Sequence, residues 1–526
     1  MDAAPTAGTT APGEPQGPTE RLSILRLSIV LLVVAAIAGV TFTGVRRAVA
    51  VDEPRAQSWN VPYVDVTLSP SYQFQDPQAN PSRDVALAFV VADPDDRCEP
   101  SWGAAYSLDE ARDQLELDRR IDQLRAVGGD AMISFGGQAN DELAVACKDP
   151  HQLEAAYREV IDRYDVSVID LDIEGDALAD TASIQRRVAA IAAIQQDRQE
   201  AGRPLDVWLT LPVSTDGLTA DGLAVVRANL QGGVDLLGVN AMTMNFGDAQ
   251  HPVRDVLSAS TRALSATATQ VGDLYAETGL KLDEAQRWGR VGATPMIGQN
   301  DVDGEVFTLE DATELAHFAQ EKGVARVSTW SLNRDRSCGA TFNEVTVHSN
   351  TCSGVAQEPL AFATIFTTLP GRAPTAGAVD AVTVPDQDTS VDDPSRSPYP
   401  IWRPTASYPE GYKVVWKGNV YQAKWFNQGA DPATEVASQW DTPWSLIGPV
   451  GPDDTAPTIT TVPTGTLPAW DPTTLYEKGT TVSFDGLPYQ ARWTTKGDAP
   501  STQFPVGPES PWKPLFQVPG EPATAE

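Results

Sequence analysis

The chain has few basic residues, few cysteines and few histidines for its length. Its 526 residues include 38 Lys and Arg but 71 Asp and Glu, so the formal net charge is -33. This negative balance argues against nucleic acid or an anionic membrane surface as a partner. The four histidines are scattered, and none of the four cysteines belongs to a C-x-x-C pair. We therefore expect no metal and no cofactor.

Long apolar runs are also scarce, and the clearest one lies near the N-terminus, from Leu27 to Val45. Its length suits a transmembrane helix. The alternative is a cleaved signal peptide, because an Ala-Val-Ala sequence that resembles a cleavage site follows the run. Two arginines lie between the run and that site, which favours an uncleaved anchor. Arginines flank both ends, so the positive-inside rule does not fix the orientation.

The four cysteines are even in number and follow this apolar segment. That arrangement predicts two disulfide bonds in an oxidising compartment. Three connectivities are possible, and we favour Cys98–Cys147 and Cys338–Cys352, the second because it closes a short local loop. We expect an extracellular protein, either secreted or anchored to the outer face of the cell membrane through the N-terminal segment alone.

Between residues 58 and 368, short β-branched runs alternate with longer amphipathic stretches. Eight such strand candidates with helical connections predict an α/β fold, a (β/α)8 TIM barrel. A doubly wound open sheet is the alternative, but no glycine-rich phosphate loop follows the first strand, so a nucleotide site has no support. The candidate strands are Tyr63–Leu68, Val85–Ala92, Ala131–Phe135, Val166–Glu174, Val207–Pro212, Leu236–Met244, Val291–Pro295 and Arg326–Ser331. The candidate helices are Leu108–Val127, His151–Tyr164, Thr181–Ala201, Ala220–Leu230, Val253–Glu277 and Leu309–Glu321.

The fourth candidate strand alternates apolar and acidic residues. At a strand's period of two, Asp170, Asp172 and Glu174 project from one face and the intervening Leu and Ile from the other. Crowded carboxylates raise one another's pKa values, and a carboxyl pKa near neutrality suits a general acid. Barrel active sites lie at the carboxyl ends of the strands, so we interpret these three acids as the catalytic residues. The alternative is a solvated strand end or a helix cap.

Other predicted strand ends carry candidate substrate-binding residues. Small residues at the end of the third strand leave room for a ligand. A Trp at the end of the eighth strand can form a flat apolar floor for a sugar ring, or it can simply fill the top of the barrel. The candidates are Ser134, Gly136, Met242, Met244, Asn245 and Trp330.

These motifs together resemble glycoside hydrolase family 18, the bacterial chitinases. The resemblance rests on the acidic row, on the Ser-x-Gly-Gly run one strand earlier and on the Trp-Ser-Leu-Asn-Arg-Asp run on the last strand, and it covers roughly residues 60–366. It implies retaining, substrate-assisted hydrolysis of β-1,4 bonds between N-acetylglucosamine units, in which the sugar's acetamido oxygen attacks its own anomeric carbon. It also implies that Glu174 is the general acid, that Asp172 orients the acetamido group and that Asp170 supports Asp172.

The chain departs from the family pattern at two strands. Ser167 and Val168 stand where the pattern usually has Asp and Gly, and Asn245 and Phe246 stand where Asp and Tyr are common. Asn245 can form hydrogen bonds but carries no charge, and Phe246 has no hydroxyl. Two alternative functions therefore stay open: a catalytically silent chitin-binding protein, and an endo-β-N-acetylglucosaminidase acting on glycans or peptidoglycan.

The C-terminal region contains a duplicated segment. Nine landmarks of residues 398–449 recur 68 positions later in residues 468–516, for example Trp402 at Trp470 and Trp444 at Trp512. We predict two small all-β modules whose cores contain Trp402, Tyr421, Trp444 and their repeat partners. Linkers rich in Pro and Thr, residues 369–397 and 450–467, precede the modules and predict flexible tethering.

The Tyr-Gln-Ala-Lys-Trp-Phe run of the first module and its counterpart in the second resemble family 5/12 chitin-binding modules. The resemblance implies that Trp425, Phe426 and Trp493 form exposed platforms for chitin. Thr494 replaces the second aromatic in the second copy, so we predict that this copy binds more weakly. The alternative is a spacer or protein-interaction role.

The predicted order is a disordered segment at 1–26, the apolar segment at 27–45, a catalytic barrel at 58–368 and the two modules, and we expect a monomer.

Overall fold

The computed structural model describes residues 58–248, 250–338, 348–369, 392–434, 442–507 and 509–522. The N-terminal disordered and apolar segments lie outside the described residues, as does most of the first linker, so these three predictions stay predictions. Within the described ranges, no helix is both long and apolar enough to cross a membrane.

The first described part of the chain forms a closed barrel of eight parallel strands. The first strand has two segments, of which Trp59–Asn60 pairs with the last strand and Tyr63–Asp65 pairs with the second. These two pairings close the sheet, so the predicted barrel is confirmed and the open-sheet alternative is wrong. The strands are β1 (Trp59–Asn60 and Tyr63–Asp65), β2 (Val85–Ala92), β3 (Ala131–Gly136), β4 (Val168–Asp172), β5 (Asp206–Ser214), β6 (Leu236–Met242), β7 (Val291–Thr294) and β8 (Arg326–Val327).

Helices follow the strands, and each of the six predicted helices overlaps a helix of the structure. The predicted helix Leu108–Val127 is divided in two, because Glu116 adopts a left-handed conformation with φ of 55° between the two halves. The helices are α1 (Leu108–Leu115), α2 (Leu117–Ala126), α3 (Leu143–Ala146), α4 (Pro150–Arg163), α5 (Thr181–Glu200), α6 (Ala220–Gln231), α7 (Val256–Glu277), α8 (Glu284–Trp288), α9 (Leu309–Lys322) and α10 (Ala361–Phe366). Short elements in the loops are the strands Pro100–Trp102, Tyr106–Ser107, Gly217–Leu218, Gly298–Gln299 and Val306–Phe307 and the 3-10 turns Gly175–Leu178 and Leu332–Arg334.

Two hydrophobic layers follow from the alternation of side chains along the strands. Large residues such as Tyr63, Met132 and Trp208 fill the interior of the barrel. Residues that point the other way, including Ile169 and Leu171 of β4, pack against the surrounding helices. The acidic positions of β4 therefore lie on the inner side of the barrel wall.

Both predicted disulfide bonds are present, which confirms the favoured connectivity. Cys98 and Cys147 join the segment after β2 to the end of α3, and Cys338 and Cys352 join two segments after β8. No described cysteine is free.

The two C-terminal segments fold as small β modules with the same internal contacts. Trp444 Nε1 donates to the carbonyl of Ala430 at 2.9 Å, and Trp512 Nε1 donates to the carbonyl of Asp498 at 2.8 Å. The predicted core aromatics are buried, except that Trp470 is half-buried. The first module contains strands Ser407–Tyr408, Lys413–Trp416, Asn419–Ala423, Asn427–Gln428 and Trp444–Pro449, and the second contains Leu475–Tyr476, Thr481–Phe484, Leu487–Ala491, Thr495–Lys496 and Trp512–Pro514.

The first module packs against α2 of the barrel through buried charges. Glu116 forms ion pairs with Arg119 at 2.9 Å and with Lys413 of the module at 2.8 Å. Arg119 also pairs with Asp454 at 2.8 Å and donates to the carbonyl of Pro449. The first module is therefore held on the barrel, which differs from the flexible tethering that the linker composition predicts.

Candidate active site

The acidic row lies at the carboxyl end of β4, as predicted. Asp170 is fully buried and Asp172 is 4% exposed, so neither is a solvated strand end. Glu174 occupies the N-cap position of the turn Gly175–Leu178, but its side chain makes no capping hydrogen bond. Both simple alternatives for these acids are therefore wrong.

Asp170 is the centre of a buried hydrogen-bond network. Its Oδ2 accepts hydrogen bonds from the hydroxyls of Tyr63 and Ser134, both at 2.7 Å. Its Oδ1 accepts from Thr210 Oγ1 at 2.6 Å and from Arg326 Nη1 at 2.7 Å. These four donors satisfy the carboxylate and fix its position beneath the other two acids.

Asp172 and Glu174 are neighbouring acids whose pKa values are both raised. Burial, followed by the charges of Glu174 and Asp170, raises the pKa of Asp172 well above its usual range, and Arg326 opposes the shift. Burial first, and then the charge of Asp301, raises the pKa of Glu174 to about 7, while a hydrogen bond with Asp172 opposes the shift. Asp172 Oδ1 is buried and has no hydrogen-bond partner among the described residues. Glu174 can thus hold and release a proton near neutral pH, and one buried oxygen of Asp172 has unused capacity to accept a hydrogen bond.

The small residues at the end of β3 contact the acidic row itself, and the prediction that Ser134 and Gly136 bind substrate stays a prediction. Ser134 is fully buried and its hydroxyl donates to Asp170. Gly136 has φ of +102°, and a Cβ there would lie 2.1 Å from the carbonyl oxygen of Asp172. A Cβ on Gly137 would collide with the ring of Phe89. The space beside these two glycines is filled by Asp172 of β4 and by Phe89 of β2.

Trp330 lies over the opening of the barrel with two other aromatic side chains. Its ring stacks on Phe89 with centroids 5.4 Å apart, and the centroid of Tyr63 is 6.0 Å away. Trp330 and Phe89 are both half-buried. Each ring therefore packs on the barrel interior and keeps part of its surface accessible, and the role of Trp330 as a floor for a sugar ring stays a prediction.

The end of β6 contributes Met242, Met244 and Asn245. Met242 is half-buried, and Met244 is 8% exposed. Asn245 pairs with Asp301: its Nδ2 donates to Asp301 Oδ2 at 2.9 Å, and its Oδ1 accepts from the Asp301 amide at 2.9 Å. Phe246 packs against the main core. The β6 end is thus tied to the loop that follows β7.

Several residues of the site were missed from the sequence, namely Tyr63, Phe89, Thr210, Asp301 and Arg326. Arg326 carried a usable signal, because an arginine on a barrel strand needs a buried acidic partner. Asp301 lies in a loop and carried no signal in the sequence pattern. Within the described ranges, no group of three or more His, Cys, Asp or Glu side chains is arranged to hold a metal ion.

The predicted aromatic platforms of the two modules are exposed. Trp425 is 42% exposed, Phe426 is 63% exposed and Trp493 is 43% exposed, whereas the other module tryptophans that the structure describes are buried or half-buried.

Comparisons with known proteins bear on the barrel. No protein-family profile matches the chain. Over 286 residues the chain is 35% identical to the "Probable bifunctional chitinase/lysozyme" of Escherichia coli K12, which covers 54% of this chain and 31% of that protein. It is also 35% identical over 289 residues to "Endochitinase 11" of Metarhizium anisopliae, which covers 53% of either chain. The chain thus spans about a third and about half of the lengths of these two relatives.

A solved structure extends the similarity to the fold. The catalytic domain of a hyperthermophilic chitinase from Pyrococcus furiosus has 26% sequence identity and a TM-score of 0.51, covering 60% of this chain and 97% of that chain. Together these comparisons support a glycoside hydrolase. More particularly, the barrel is similar to the catalytic domains of chitinases.

Proposed function

We propose that the protein is a chitinase that hydrolyses β-1,4 bonds between N-acetylglucosamine units with retention of configuration, and that it acts as a monomer. The observation that carries the proposal is the buried row of acids at the carboxyl end of β4. Glu174 has a pKa of about 7, and its partner Asp172 has a buried oxygen without a hydrogen-bond partner among the described residues. Glu174 can donate a proton to the leaving group, and Asp172 can accept a hydrogen bond from the acetamido group. This combination suits a substrate that supplies its own nucleophile.

In the proposed mechanism, protonated Glu174 donates its proton to the glycosidic oxygen while the acetamido oxygen of the sugar attacks the anomeric carbon. Asp172 accepts the acetamido N–H, which orients the nucleophile and stabilises the positive charge that develops on it. Asp170, held by Arg326 and three hydroxyls, supports Asp172 from below the reacting ring. Water then attacks the cyclic intermediate, and Glu174 takes the proton of that water.

The acid is tested by Glu174→Gln, which keeps the shape of the side chain and removes its proton. Because a positioned general acid contributes about 100- to 10,000-fold, we expect a loss of that order in the hydrolysis of a soluble chito-oligosaccharide. The matched control is Asp176→Asn, an exposed acid two positions further on, which should keep normal activity. Normal turnover by the Glu174 variant would overturn the mechanism. Absence of any wild-type product, together with chitin binding, would favour a silent binding protein.

We propose that the two modules bind chitin through their exposed aromatic side chains. Loss of one stacking ring changes affinity by about three- to tenfold. In chitin pull-down, Trp425→Ala should reduce binding more than Trp493→Ala, because Phe426 adds a second ring only in the first module. Leu475→Ala removes an exposed apolar side chain of the second module and is the control. Unchanged binding in both Trp variants would assign the modules a spacer or protein-interaction role.

Peptidoglycan is the competing substrate, because the relative in E. coli is named as a chitinase/lysozyme. Side-by-side release of soluble products from chitin and from peptidoglycan distinguishes the two substrates.

We also propose an extracellular location, supported by two disulfide bonds, which form and persist in oxidising compartments. Fractionation of cells and medium tests this location and separates a secreted protein from a membrane-anchored one.

A further inference from the structure

An inward-facing carboxylate lies at the carboxyl end of β1. Side chains alternate along this strand: Tyr63 points into the barrel, where its hydroxyl donates to Asp170 at 2.7 Å, and Val64 packs in the layer between strands and helices. By the same alternation Asp65 points inward, one step nearer the opening than Tyr63. Asp65 is the last residue of the strand and is half-buried, whereas the two residues before it are buried. The strand therefore ends with a carboxylate at the rim of the barrel opening.

The two neighbouring strands carry the stacked aromatic pair to either side of this carboxylate. On one side Asp65 pairs in register with Ala88, the residue before Phe89. On the other side the backbone amide of Asp65 donates to Oδ1 of Asn333 at 2.9 Å, and Nδ2 of Asn333 donates to the carbonyl of Asp65 at 3.0 Å. Asn333 follows Trp330 by three residues. Asp65 is thus held between the strand ends that carry the two rings.

The aromatic rings also contact the inward residue next below Asp65. The ring centroid of Tyr63 is 6.2 Å from that of Phe89 and 6.0 Å from that of Trp330. Tyr63 and Asp65 are successive inward positions of one strand. The carboxylate and the pair of stacked rings therefore border the same part of the opening.

One oxygen of the Asp65 carboxylate is fixed by the protein, and the other is free. Oδ1 accepts hydrogen bonds from the amide of Thr67 at 2.9 Å and from its hydroxyl at 2.6 Å. Thr67 is itself packed against Gly103, since a Cβ on that glycine would lie 2.9 Å from the Thr67 methyl group. Oδ2 forms no hydrogen bond or ion pair with any residue that the structure describes. The carboxylate is oriented and keeps acceptor capacity for a ligand.

We infer that Asp65 is a substrate-binding residue, whose free oxygen accepts hydrogen bonds from hydroxyl groups of the sugar ring that packs on Trp330 and Phe89. A sugar has apolar ring faces and hydroxyl groups around its edge, so an aromatic surface beside a fixed carboxylate matches both features. The inference rests on the proposed function for the identity of the sugar, an uncharged N-acetylglucosamine unit.

The test is Asp65→Ala with a soluble chito-oligosaccharide as substrate. A hydrogen bond to a charged group is a strong one, so KM should rise by roughly 10- to 100-fold. The bond holds substrate and transition state alike, so kcat and its pH profile should change little. The control is Asp76→Ala, a half-buried acid whose Oδ1 also accepts from the amide two residues further on, at 2.8 Å; its KM should be normal. An unchanged KM in Asp65→Ala overturns the inference.

Thr67→Val separates sugar binding from a role in the structure of the loop. It removes the same bond between hydroxyl and carboxylate but leaves Oδ2 of Asp65 in place. Both variants should therefore lower the melting temperature to a similar extent, whereas only Asp65→Ala should raise KM strongly. Equal increases of KM in the two variants would show that Asp65 acts only through the loop, and the inference would be wrong.

Calorimetric titration with chitotriose measures sugar binding without turnover. The background is the full chain with Glu174→Gln, Trp425→Ala, Phe426→Ala and Trp493→Ala, which removes the proposed acid and both module platforms. Adding Asp65→Ala to this background should weaken the remaining binding by roughly 10- to 100-fold, and equal affinities would refute the role of Asp65. A wild type that binds the sugar in its barrel without hydrolysing it would refute the proposed hydrolysis and leave the role of Asp65 to be decided by this comparison.

Discussion

At the scale of single residues, the site depends on one charge pair that is completely enclosed. The side chains of Asp170 and Arg326 are both 0% exposed and lie 2.7 Å apart. Two charges that are removed from water are tolerated only when they form an ion pair and their remaining polar atoms form hydrogen bonds. Asp170 accepts further hydrogen bonds from Tyr63, Ser134 and Thr210. Arg326 donates further hydrogen bonds to Tyr63 and Ser328.

The first prediction concerns this pair. Arg326→Met keeps most of the side-chain volume but leaves Asp170 as an uncompensated buried charge, so the free energy of unfolding should fall by about 3–5 kcal/mol. Urea unfolding followed by tryptophan fluorescence measures it. Asp170→Asn in the same background should recover part of the loss, because the orphaned charge is gone. Arg227→Met, in the exposed pair with Glu277, is the control and should change little.

At the scale of elements, β4 could be predicted from the sequence and its surroundings could not. Alternation along one strand is a local pattern, so the inward direction of Asp170 and Asp172 followed from period two alone. The roles of Ser134 and Gly136 depend on which strand is adjacent and at which register. The Arg326 partner of Asp170 is 156 residues away in the chain. Such pairings are set by closure of the barrel, which the local pattern does not contain.

Gly136 gives the prediction at this scale. Gly136→Ala combines a positive φ with a Cβ placed 2.1 Å from the Asp172 carbonyl, so β3 and β4 must separate where the acids lie. Gly233→Ala has a similar φ of +90° but meets no atom within 4 Å. We expect Gly233→Ala to show only the backbone cost of about 1 kcal/mol. Gly136→Ala should lower both the melting temperature and kcat further; equal effects in the two variants would contradict the packing argument.

At the scale of the whole molecule, composition predicted the order of barrel, linker and repeated modules but not their docking. A Pro- and Thr-rich linker is read as flexible because it lacks apolar residues. The docking depends on an ion pair between Glu116 and Lys413, which lie 297 residues apart in the chain. The sequence contains 109 charged residues, and it does not indicate which of them form pairs. Arg119 of the barrel donates hydrogen bonds to Pro449 and Asp454. Arg403 of the first module donates hydrogen bonds to Gln503 and Phe504, so the second module also contacts the first.

The docking is expected to depend on Arg119 and on pH. Burial acts to raise the pKa of Glu116, but Lys413 and Arg119 outweigh it and hold that pKa below its ordinary value. Docking therefore favours the ionised form: its stabilisation is complete at neutral pH, weakens below the ordinary pKa of Glu, and is lost as pH falls through the lowered value. Small-angle X-ray scattering should show a larger radius of gyration at low pH than at pH 7.

Arg119→Ala should produce the released form already at neutral pH, because it leaves Glu116 and Asp454 without their shared cation. Proteolysis in the exposed segment between the modules, residues 451–466, should become faster. Hydrolysis of soluble oligosaccharides should stay normal, since Arg119 lies on α2 and outside the acidic row. Hydrolysis of insoluble chitin should fall if the Trp425 platform must be held beside the barrel to deliver polymer to it. Arg112→Ala, an exposed arginine of α1, is the matched control, and identical scattering from the Arg119 and Arg112 variants would show that these ion pairs do not hold the module.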